Sequence, residues 1–275
     1  MMEGPAGRSL LQEMFDEALS FRRALANLRQ HIAADDWWFS IWQAPRVEGI
    51  DRVETADCLT AGGALSERGI PAAVVSKFLW ERGLVVEKTG LYSFLVLFSM
   101  GITKGKWSTL LTELLDFKRN YDANTSLASC LPSVARQGPQ RYQGMGLRDL
   151  CDQLHGCYRS NATAKHLKRM YTALPEVAMK PADAYDLLVR GEVEAVPIDA
   201  LQGRVAAVML VPYPPGIPLI MPGERFTETT RSIIDYLAFA RAFDSGFPGF
   251  VADVHGLQHE DNGHGRCYTV DCIKE

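Results

Sequence analysis

The stretch from residue 70 to residue 122 carries the clearest secondary-structure pattern in the chain. It reads IPAAVVSKFLWERGLVVEKTGLYSFLVLFSMGITKGKWSTLLTELLDFKRNYD. The pattern predicts a helix from Pro71 to about Arg82, strands at 84–86 and 92–99, and a second helix over about 104–121. Pro71 suits the first turn of the first helix. A helix, two strands and a helix joined by short connections indicate an α+β fold.

The flanking segments predict further helices and strands. Residues 8–32 place their apolar side chains on one helical stripe and their charges on the opposite face. The aromatic segment DDWWFSIWQAP at 35–45 predicts a strand packed under that helix, and a ligand platform is the alternative. The remaining predicted elements are helices at about 145–158, 161–172, 181–190 and 227–244, and strands at 191–201, 203–213 and 266–274.

The segment VPYPPGIPLIMPGE, residues 211–224, joins a predicted strand to the helix at 227–244. Its prolines fix the backbone angle φ, while Gly216 and Gly223 permit tight turns. We therefore interpret it as a stiff structural connection without a catalytic role. At the start of the following helix, Thr227 and Thr230 resemble a weakened capping box.

Composition excludes several classes of protein. The chain has 275 residues and a formal net charge of −4, which gives no reason to expect nucleic acid as a partner. No apolar run reaches the roughly 18 residues that a membrane span needs, so no membrane association is expected. The six cysteines show no paired zinc spacing. We interpret them as reduced thiols of a cytoplasmic protein.

Two segments have the residue types of a binding site without a matching motif. The sequence HGLQHEDNGHG at 255–265 holds three histidines beside Glu260 and Asp261. Its spacing fits no metal-site template, so we predict an exposed hairpin loop and no metal. The sequence GITKGKWST at 101–109 superficially resembles a phosphate loop, but its spacing matches no nucleotide motif, and a solvated helix start is favoured.

Glu87 is the candidate binding residue. In GLVVEKTG, residues 83–90, Glu87 and Lys88 interrupt an apolar segment between two predicted strands. A buried or half-buried carboxylate needs a partner, because an unpaired charge away from water is costly. The partner is either structural, namely Lys88 or a nearby arginine, or functional, namely a cationic ligand. The residues alone leave both alternatives open.

Four segments carry a resemblance to a known family: 69–90, 97–124, 204–224 and 247–256. They resemble the bacterial ornithine, lysine and arginine decarboxylases, which are pyridoxal-phosphate (PLP) enzymes of the aspartate-aminotransferase fold type. The resemblance implies that residues 1–100 are the small C-terminal part of the PLP-transferase-type domain. It also implies that residues 101–275 are the family's own C-terminal domain.

The chain departs from the family pattern in two places. The family's PLP-bearing lysine lies in a Ser-x-His-Lys motif, which is missing here; AKHLK at 164–168 has a different order. We therefore assign no catalytic and no cofactor-binding residue and expect no covalently bound PLP. The second departure is an internal deletion of about thirty residues near 58–59, judged against the strand spacing expected for the family.

The resemblance also suggests substrates and partners. It implies that Glu87 receives the distal ammonium of a basic amino acid, with lysine favoured over ornithine and arginine. The resulting hypothesis is a C-terminal part of a lysine decarboxylase that is inactive alone. The alternatives are a non-catalytic module that pairs with a full-length decarboxylase or with its own copies, and a binding protein that uses Glu87 for polyamines.

Overall fold

The computed structural model describes residues 4–34, 36–42, 52–54, 65–172, 174–213, 216–261 and 266–274. The chain divides into two compact units, Met1–His155 (unit 1) and Gly156–Glu275 (unit 2). Helices and strands occur in both units, which confirms the predicted α+β class. The described residues include no helix that is both long and apolar enough to cross a membrane. The family-based division after residue 100 stays a prediction.

Unit 1 combines helices with a small antiparallel sheet. The helices are α1 (Pro5–Gln30), α2 (Ala72–Trp80), α3 (Trp107–Asp122), α4 (Leu127–Cys130), α5 (Pro132–Gln137) and α6 (Leu147–Ser160), which continues into unit 2. The strands are β1 (Ser40–Trp42), β2 (Arg52–Glu54), β3 (Lys88–Thr89) and β4 (Ser93–Leu95). Their order in the sheet is β1-β2-β4-β3, and each neighbouring pair is antiparallel.

The core of unit 1 forms where α2 meets α3. Val74 and Phe78 of α2 are fully buried, as are Leu114 and Phe117 of α3. The rings of Phe78 and Phe117 meet edge to face, with centroids 5.2 Å apart. Full burial of each such side chain contributes about 1.5 to 3 kcal/mol. The 3.6-residue pattern thus correctly predicted the two helices that form this core.

The aromatic segment packs beneath α1, as predicted, although its strand is short. Trp38 and Phe39 are buried, and the Trp38 indole N–H donates to the Leu25 carbonyl oxygen of α1 at 3.3 Å. The Trp37 ring meets the Tyr121 ring of α3 edge to face at 5.2 Å. These aromatic rings pack against α1 and α3, which supports a structural role for the segment over a role as a ligand platform.

Burial along α1 is uneven. Phe21 and Leu25 of the predicted apolar stripe are buried, whereas Leu10 and Phe15 of the same stripe are 45% and 56% exposed. The first half of α1 therefore presents apolar surface that the described residues leave uncovered.

Unit 2 contains α7 (Thr163–Met170), α8 (Pro181–Val189) and α9 (Arg231–Gly246). Its strands are β5 (Glu176–Val177), β6 (Val193–Pro197), β7 (Val211–Pro212), β8 (Glu224–Arg225), β9 (Val254–His255), β10 (Leu257–Asp261) and β11 (Arg266–Ile273). An antiparallel sheet has the order β10-β11-β6, and two ribbons pair β5 with β8 and β7 with β9.

The core of unit 2 lies between α9 and the β10-β11-β6 sheet. Leu237 of α9 is fully buried in one cluster with Val270 of β11. Asp244, near the end of α9, is also buried: its carboxylate accepts the Tyr268 hydroxyl at 2.8 Å and the Ala252 N–H at 2.7 Å. These bonds satisfy a carboxylate that would otherwise be costly to bury.

Helix and turn chemistry in unit 2 follows the sequence closely. The predicted capping box is present, with the Thr227 N–H donating to the Thr230 hydroxyl at 2.9 Å. Gly216 and Gly223 adopt φ of +74° and +87°, as the tight turns of the proline-rich segment require. Pro214 and Pro215 lie outside the described residues.

Two strand predictions are wrong. Residues 84–86 form a loop, in which Val85 is 81% exposed. The predicted strand at 203–213 is reduced to β7 and isolated bridges such as Leu210 with Ile220. Apolar residues alone do not make a strand, because the ladder also needs a partner segment in register.

Candidate functional site

Glu87 lies at the entrance of the hairpin formed by β3 and β4. Its backbone N–H donates to the Leu95 carbonyl oxygen at 2.9 Å, directly before Lys88 and Thr89 pair with β4. The Glu87 side chain is exposed. Among the described residues its carboxylate makes no ion pair or hydrogen bond, so no structural pairing with Lys88 or a described arginine forms.

Helix α2 fixes the position of this hairpin. The Thr89 and Ser76 hydroxyl groups lie 2.8 Å apart, which ties β3 to α2. At the other end of the turn, the Ala72 N–H donates to the Leu91 carbonyl oxygen at 2.8 Å. Two bonds to one rigid helix limit the motion of the hairpin and hold Glu87 at a defined place.

A buried histidine supports the same hairpin from α6. His155 is 2% exposed; its Nδ1 lies 2.7 Å from the Tyr92 hydroxyl and its Nε2 lies 3.0 Å from the Ser66 carbonyl oxygen. Because a carbonyl oxygen only accepts, Nε2 carries the proton and Nδ1 accepts from Tyr92. A Cβ atom on Gly69 would lie 2.7 Å from Nδ1, so this position requires glycine.

Sequence reasoning missed the arrangement around His155. The histidine lies in α6 beside Leu154, where its burial is indistinguishable from ordinary helix periodicity. Ser66 lies 89 residues away along the chain. No local signal joins such distant residues, so this contact was accessible from the tertiary structure alone.

A cavity of about 510 Å³ lies between α1 and the aromatic segment. Its cationic lining residues include Arg29, which donates to the carbonyl oxygens of Ala33, Ala34 and Asp36 at 2.9 to 3.2 Å. Arg29 therefore satisfies backbone carbonyl oxygens in the segment that follows α1. Lys118 of α3 bridges Asp36 and Asp122 at 2.7 and 2.8 Å. Arg29 and Lys118 thus bind the start of the aromatic segment to α1 and α3.

The segment that resembled a phosphate loop already binds a carboxylate of the chain. The Gly105 N–H donates to the Glu17 carboxylate of α1 at 2.6 Å, two residues before α3 begins. Glu17 is buried, while Lys104 and Lys106 are exposed. The backbone donor that an anion would use is thus engaged, which supports the interpretation as a helix start.

The histidine-rich segment forms strands, so its prediction as a loop is wrong for the described part. His255 lies in β9 and His259 in β10, and both are exposed; His264 lies outside the described residues. The His259 ring stacks on Tyr268 of β11 at 5.6 Å. Within the described ranges no group of three or more histidine, cysteine, aspartate or glutamate side chains could hold a metal ion.

The described cysteines are free thiols, and three of them are buried. Burial raises the pKa of the Cys130 thiol to about 11 and that of Cys272 to about 12. Burial also raises the pKa of Cys151 well above its ordinary value. Because the thiolate is the nucleophile, these groups are structural.

Two described cavities lack the lysine that a PLP site needs. PLP needs a lysine amine for its aldehyde and a partner for its pyridine nitrogen. The cavity beneath α1 has no lysine in its lining, and neither does a cavity of about 420 Å³ in unit 2. Lys168 of AKHLK belongs to α7.

Comparisons with known proteins assign the family. The model described as "Orn/Lys/Arg decarboxylase, C-terminal domain" matches residues 164–274, and "Orn/Lys/Arg decarboxylase, major domain" matches residues 52–106. The lysine decarboxylase LdcA of Pseudomonas aeruginosa is 67% identical over the whole chain, and the constitutive lysine decarboxylase of Escherichia coli is 38% identical. The chain covers 41% and 42% of these two relatives.

Solved structures give the same assignment. The structure of lysine decarboxylase A from Pseudomonas aeruginosa matches the whole chain with a TM-score of 0.92 and 66% identity, over 41% of its own length. The matched segments include the C-terminal domain of the family and the end of its major domain. The chain therefore belongs to the Orn/Lys/Arg decarboxylase family and corresponds to its C-terminal portion.

Proposed function

We propose that this chain forms the C-terminal part of a PLP-dependent lysine decarboxylase, which converts lysine to cadaverine and CO₂. The observation that carries the proposal is the 67% identity to LdcA along the whole chain. Among the Escherichia coli relatives that match the whole chain, the constitutive lysine decarboxylase is 38% identical and the biodegradative arginine decarboxylase is 34% identical. Lysine is therefore favoured as the substrate over ornithine and arginine.

Glu87 is the residue proposed to receive the substrate. Its carboxylate is exposed and has no partner among the described residues, while α2 fixes the hairpin that carries it. A carboxylate in this state forms a charge-assisted hydrogen bond with the distal ammonium of lysine. The role of Glu87 is therefore binding and orientation of the substrate, with no proton transfer required.

These 275 residues are proposed to be inactive without the rest of such an enzyme. The sequence contains no Ser-x-His-Lys motif, and neither described cavity offers a lysine amine. The alignment with LdcA extends over 307 residues for a chain of 275, which supports the proposed internal deletion. Its proposed position near 58–59 lies outside the described residues. PLP would accordingly be held by other parts of the enzyme.

The test is reconstitution. The chain is expressed alone and together with the part of LdcA that precedes the matched region, and CO₂ release from lysine is measured with added PLP. We expect no release from the chain alone and measurable release from the reconstituted complex. Release by the chain alone would disprove the proposed inactivity. A stable complex that binds PLP but releases no CO₂ would disprove the catalytic role.

The second candidate function is a non-catalytic assembly module. The apolar surface of α1, which includes Leu10 and Phe15, favours pairing with another decarboxylase chain or a second copy. Co-purification with full-length LdcA, without a change in turnover, would support this candidate. The free state of the described cysteines supports a cytoplasmic location for either function.

A further inference from the structure

The cavity of about 420 Å³ in unit 2 combines polar acceptors with an aromatic ring. It lies beside α7 and α9 and the turn that follows α6. The residues that line it are Ser160, Asn161, Ala162, His166, Asp235, Ala238 and Phe239. None of them belongs to the hairpin that carries Glu87.

His166 gives this cavity an unsatisfied polar atom. Its Nδ1 is buried and has no hydrogen-bond partner among the described residues. Leaving a buried polar atom without a partner is costly relative to a satisfied one. Ala162, at the start of α7, has φ of +48°, a strained conformation for a residue with a side chain. The turn beside the His166 imidazole therefore combines a strained backbone at Ala162 with an unsatisfied ring nitrogen.

The other polar side chains present acceptors. The Asn161 amide nitrogen donates to the Cys157 carbonyl oxygen at 2.9 Å and approaches the Ser160 hydroxyl at 3.3 Å. The Ser160 hydroxyl donates to the same carbonyl oxygen at 3.2 Å. The donors of both residues are therefore used within the turn, and their oxygens retain lone pairs. The Asp235 carboxylate adds a negative charge, shared through one oxygen with Arg231 at 3.2 Å.

Phe239 supplies a fixed aromatic wall. Its ring centroid lies 6.2 Å from that of Tyr158 and 5.8 Å from that of Phe243, so neighbouring rings restrict its rotation. Phe239 follows Asp235 by one helical turn on α9, which places the ring and the carboxylate on the same side of the helix. A cation over an aromatic face gains an electrostatic attraction that adds to that of the carboxylate.

We propose that this cavity binds the ammonium group of a small alkylamine. An ammonium has three donors and no acceptor, which matches a neutral His166 Nδ1, the Asp235 carboxylate and the Asn161 or Ser160 oxygen. The apolar stem packs against Phe239 and Ala238. An inorganic anion is disfavoured by Asp235, and one imidazole with one carboxylate is a poor set of ligands for a transition metal.

The test uses the whole chain and butylammonium chloride as the probe. Binding is measured by calorimetry, and the imidazole nitrogen resonances of His166 are followed by NMR. We expect saturable binding with a shift of the His166 signals, and no binding of the neutral analogue 1-butanol. Asp235→Asn should weaken binding about tenfold, as the loss of a charge-assisted hydrogen bond predicts. Absence of a saturable His166 shift would overturn the proposal.

Matched variants separate this site from other acidic positions. Asp186→Asn removes an equal charge from the exposed face of α8 and should bind butylammonium like the unmodified chain. If Asp235→Asn fails to fold, Phe239→Leu keeps the apolar wall and should weaken binding several-fold. Equal affinity of this variant and the unmodified chain would place the ammonium elsewhere.

Discussion

The Tyr92 hydroxyl donates to Nδ1 of His155 across 2.7 Å, which joins the turn before β4 to α6. The same imidazole donates through Nε2 to the Ser66 carbonyl oxygen, so three distant segments meet at one side chain. The hairpin that carries Glu87 is consequently supported by α2 on one side and by His155 on the other. The position of the candidate substrate carboxylate thus depends on side chains that have no contact with a substrate.

Tyr92→Phe should destabilise the chain by about 1 to 3 kcal/mol, because it leaves the buried Nδ1 of His155 without a donor. The measurement is urea unfolding followed by fluorescence and circular dichroism. Tyr185→Phe is the matched control, since Tyr185 is 61% exposed on α8 and its loss should change the stability by less than about 0.5 kcal/mol. Equal stability of the two variants would contradict the supporting role of Tyr92.

Gly223→Ala should destabilise unit 2 strongly. Gly223 has φ of +87°, and a Cβ atom there would lie 2.5 Å from the Met179 carbonyl oxygen. Both the backbone conformation and the close contact oppose alanine. Gly156→Ala should have the opposite effect. Gly156 lies within α6, and its added Cβ would meet no neighbouring group within 4 Å. It should raise the free energy of unfolding by about 0.5 to 1 kcal/mol.

Asp149 should make stability depend on pH at the start of α6. Hydrogen bonds from the Asn124 amide and the Gly146 N–H, both 3.0 Å, lower the pKa of Asp149 below its ordinary value of 3.8. A carboxylate whose folded pKa is depressed stabilises the fold above its unfolded pKa and loses this contribution as pH falls through the folded pKa. The contribution is therefore complete near neutral pH.

The measurement compares the free energies of unfolding of the unmodified chain and Asp149→Asn between pH 3 and pH 7. The difference should be constant above about pH 5 and shrink as pH falls below the unfolded pKa of 3.8. A difference for Asp149→Asn that grows toward low pH would contradict the assigned sign.

Asn124→Ala should lower stability by about 0.5 to 2 kcal/mol, the range for the loss of a helix cap. The side-chain amide oxygen of Asn124, Oδ1, accepts the N–H groups of Arg148 and Asp149 at 2.9 and 3.2 Å, so it caps α6 from outside the helix. Thermal unfolding provides the measurement. Gln143→Ala, at an exposed position in the connection before α6, should leave the midpoint unchanged. An unchanged midpoint for Asn124→Ala would rule out its capping role.

Glu87→Gln in the reconstituted complex should raise KM for lysine about tenfold or more, since a charge-assisted hydrogen bond to the substrate is lost. The turnover number should change less, because Glu87 is proposed to bind and orient the substrate. Steady-state CO₂ release gives both constants. Glu228→Gln removes an exposed carboxylate from unit 2 and should leave KM unaltered. An unaltered KM for Glu87→Gln would remove it from the substrate site.

Local patterns predicted much of the fold. The periodicity of α2 and α3, the turns at Gly216 and Gly223, and the Thr227 capping box are all present. Each depends on residues within a few positions of one another. The strand at 84–86 was wrong because β pairing needs a distant partner in register, which a run of apolar residues does not reveal.

The candidate site was less accessible from sequence. Residue type and position identified Glu87, but its exposure and its lack of an ion pair depended on the path of the surrounding chain. His155 with Tyr92, and His166 with Asp235 and Phe239, had no signal in the sequence. Their partners lie on other helices or in distant loops.

The sequence by itself determined the α+β class, the family and most helix boundaries, because these follow from local periodicity, turn chemistry and shared motifs. Tertiary structure decided which polar groups are satisfied. Glu17 binds the Gly105 N–H, Asp244 binds Tyr268, and His166 Nδ1 remains without a partner among the described residues. Hydrogen bonds and burial are properties of three-dimensional proximity, which residues far apart in the chain acquire only when it folds.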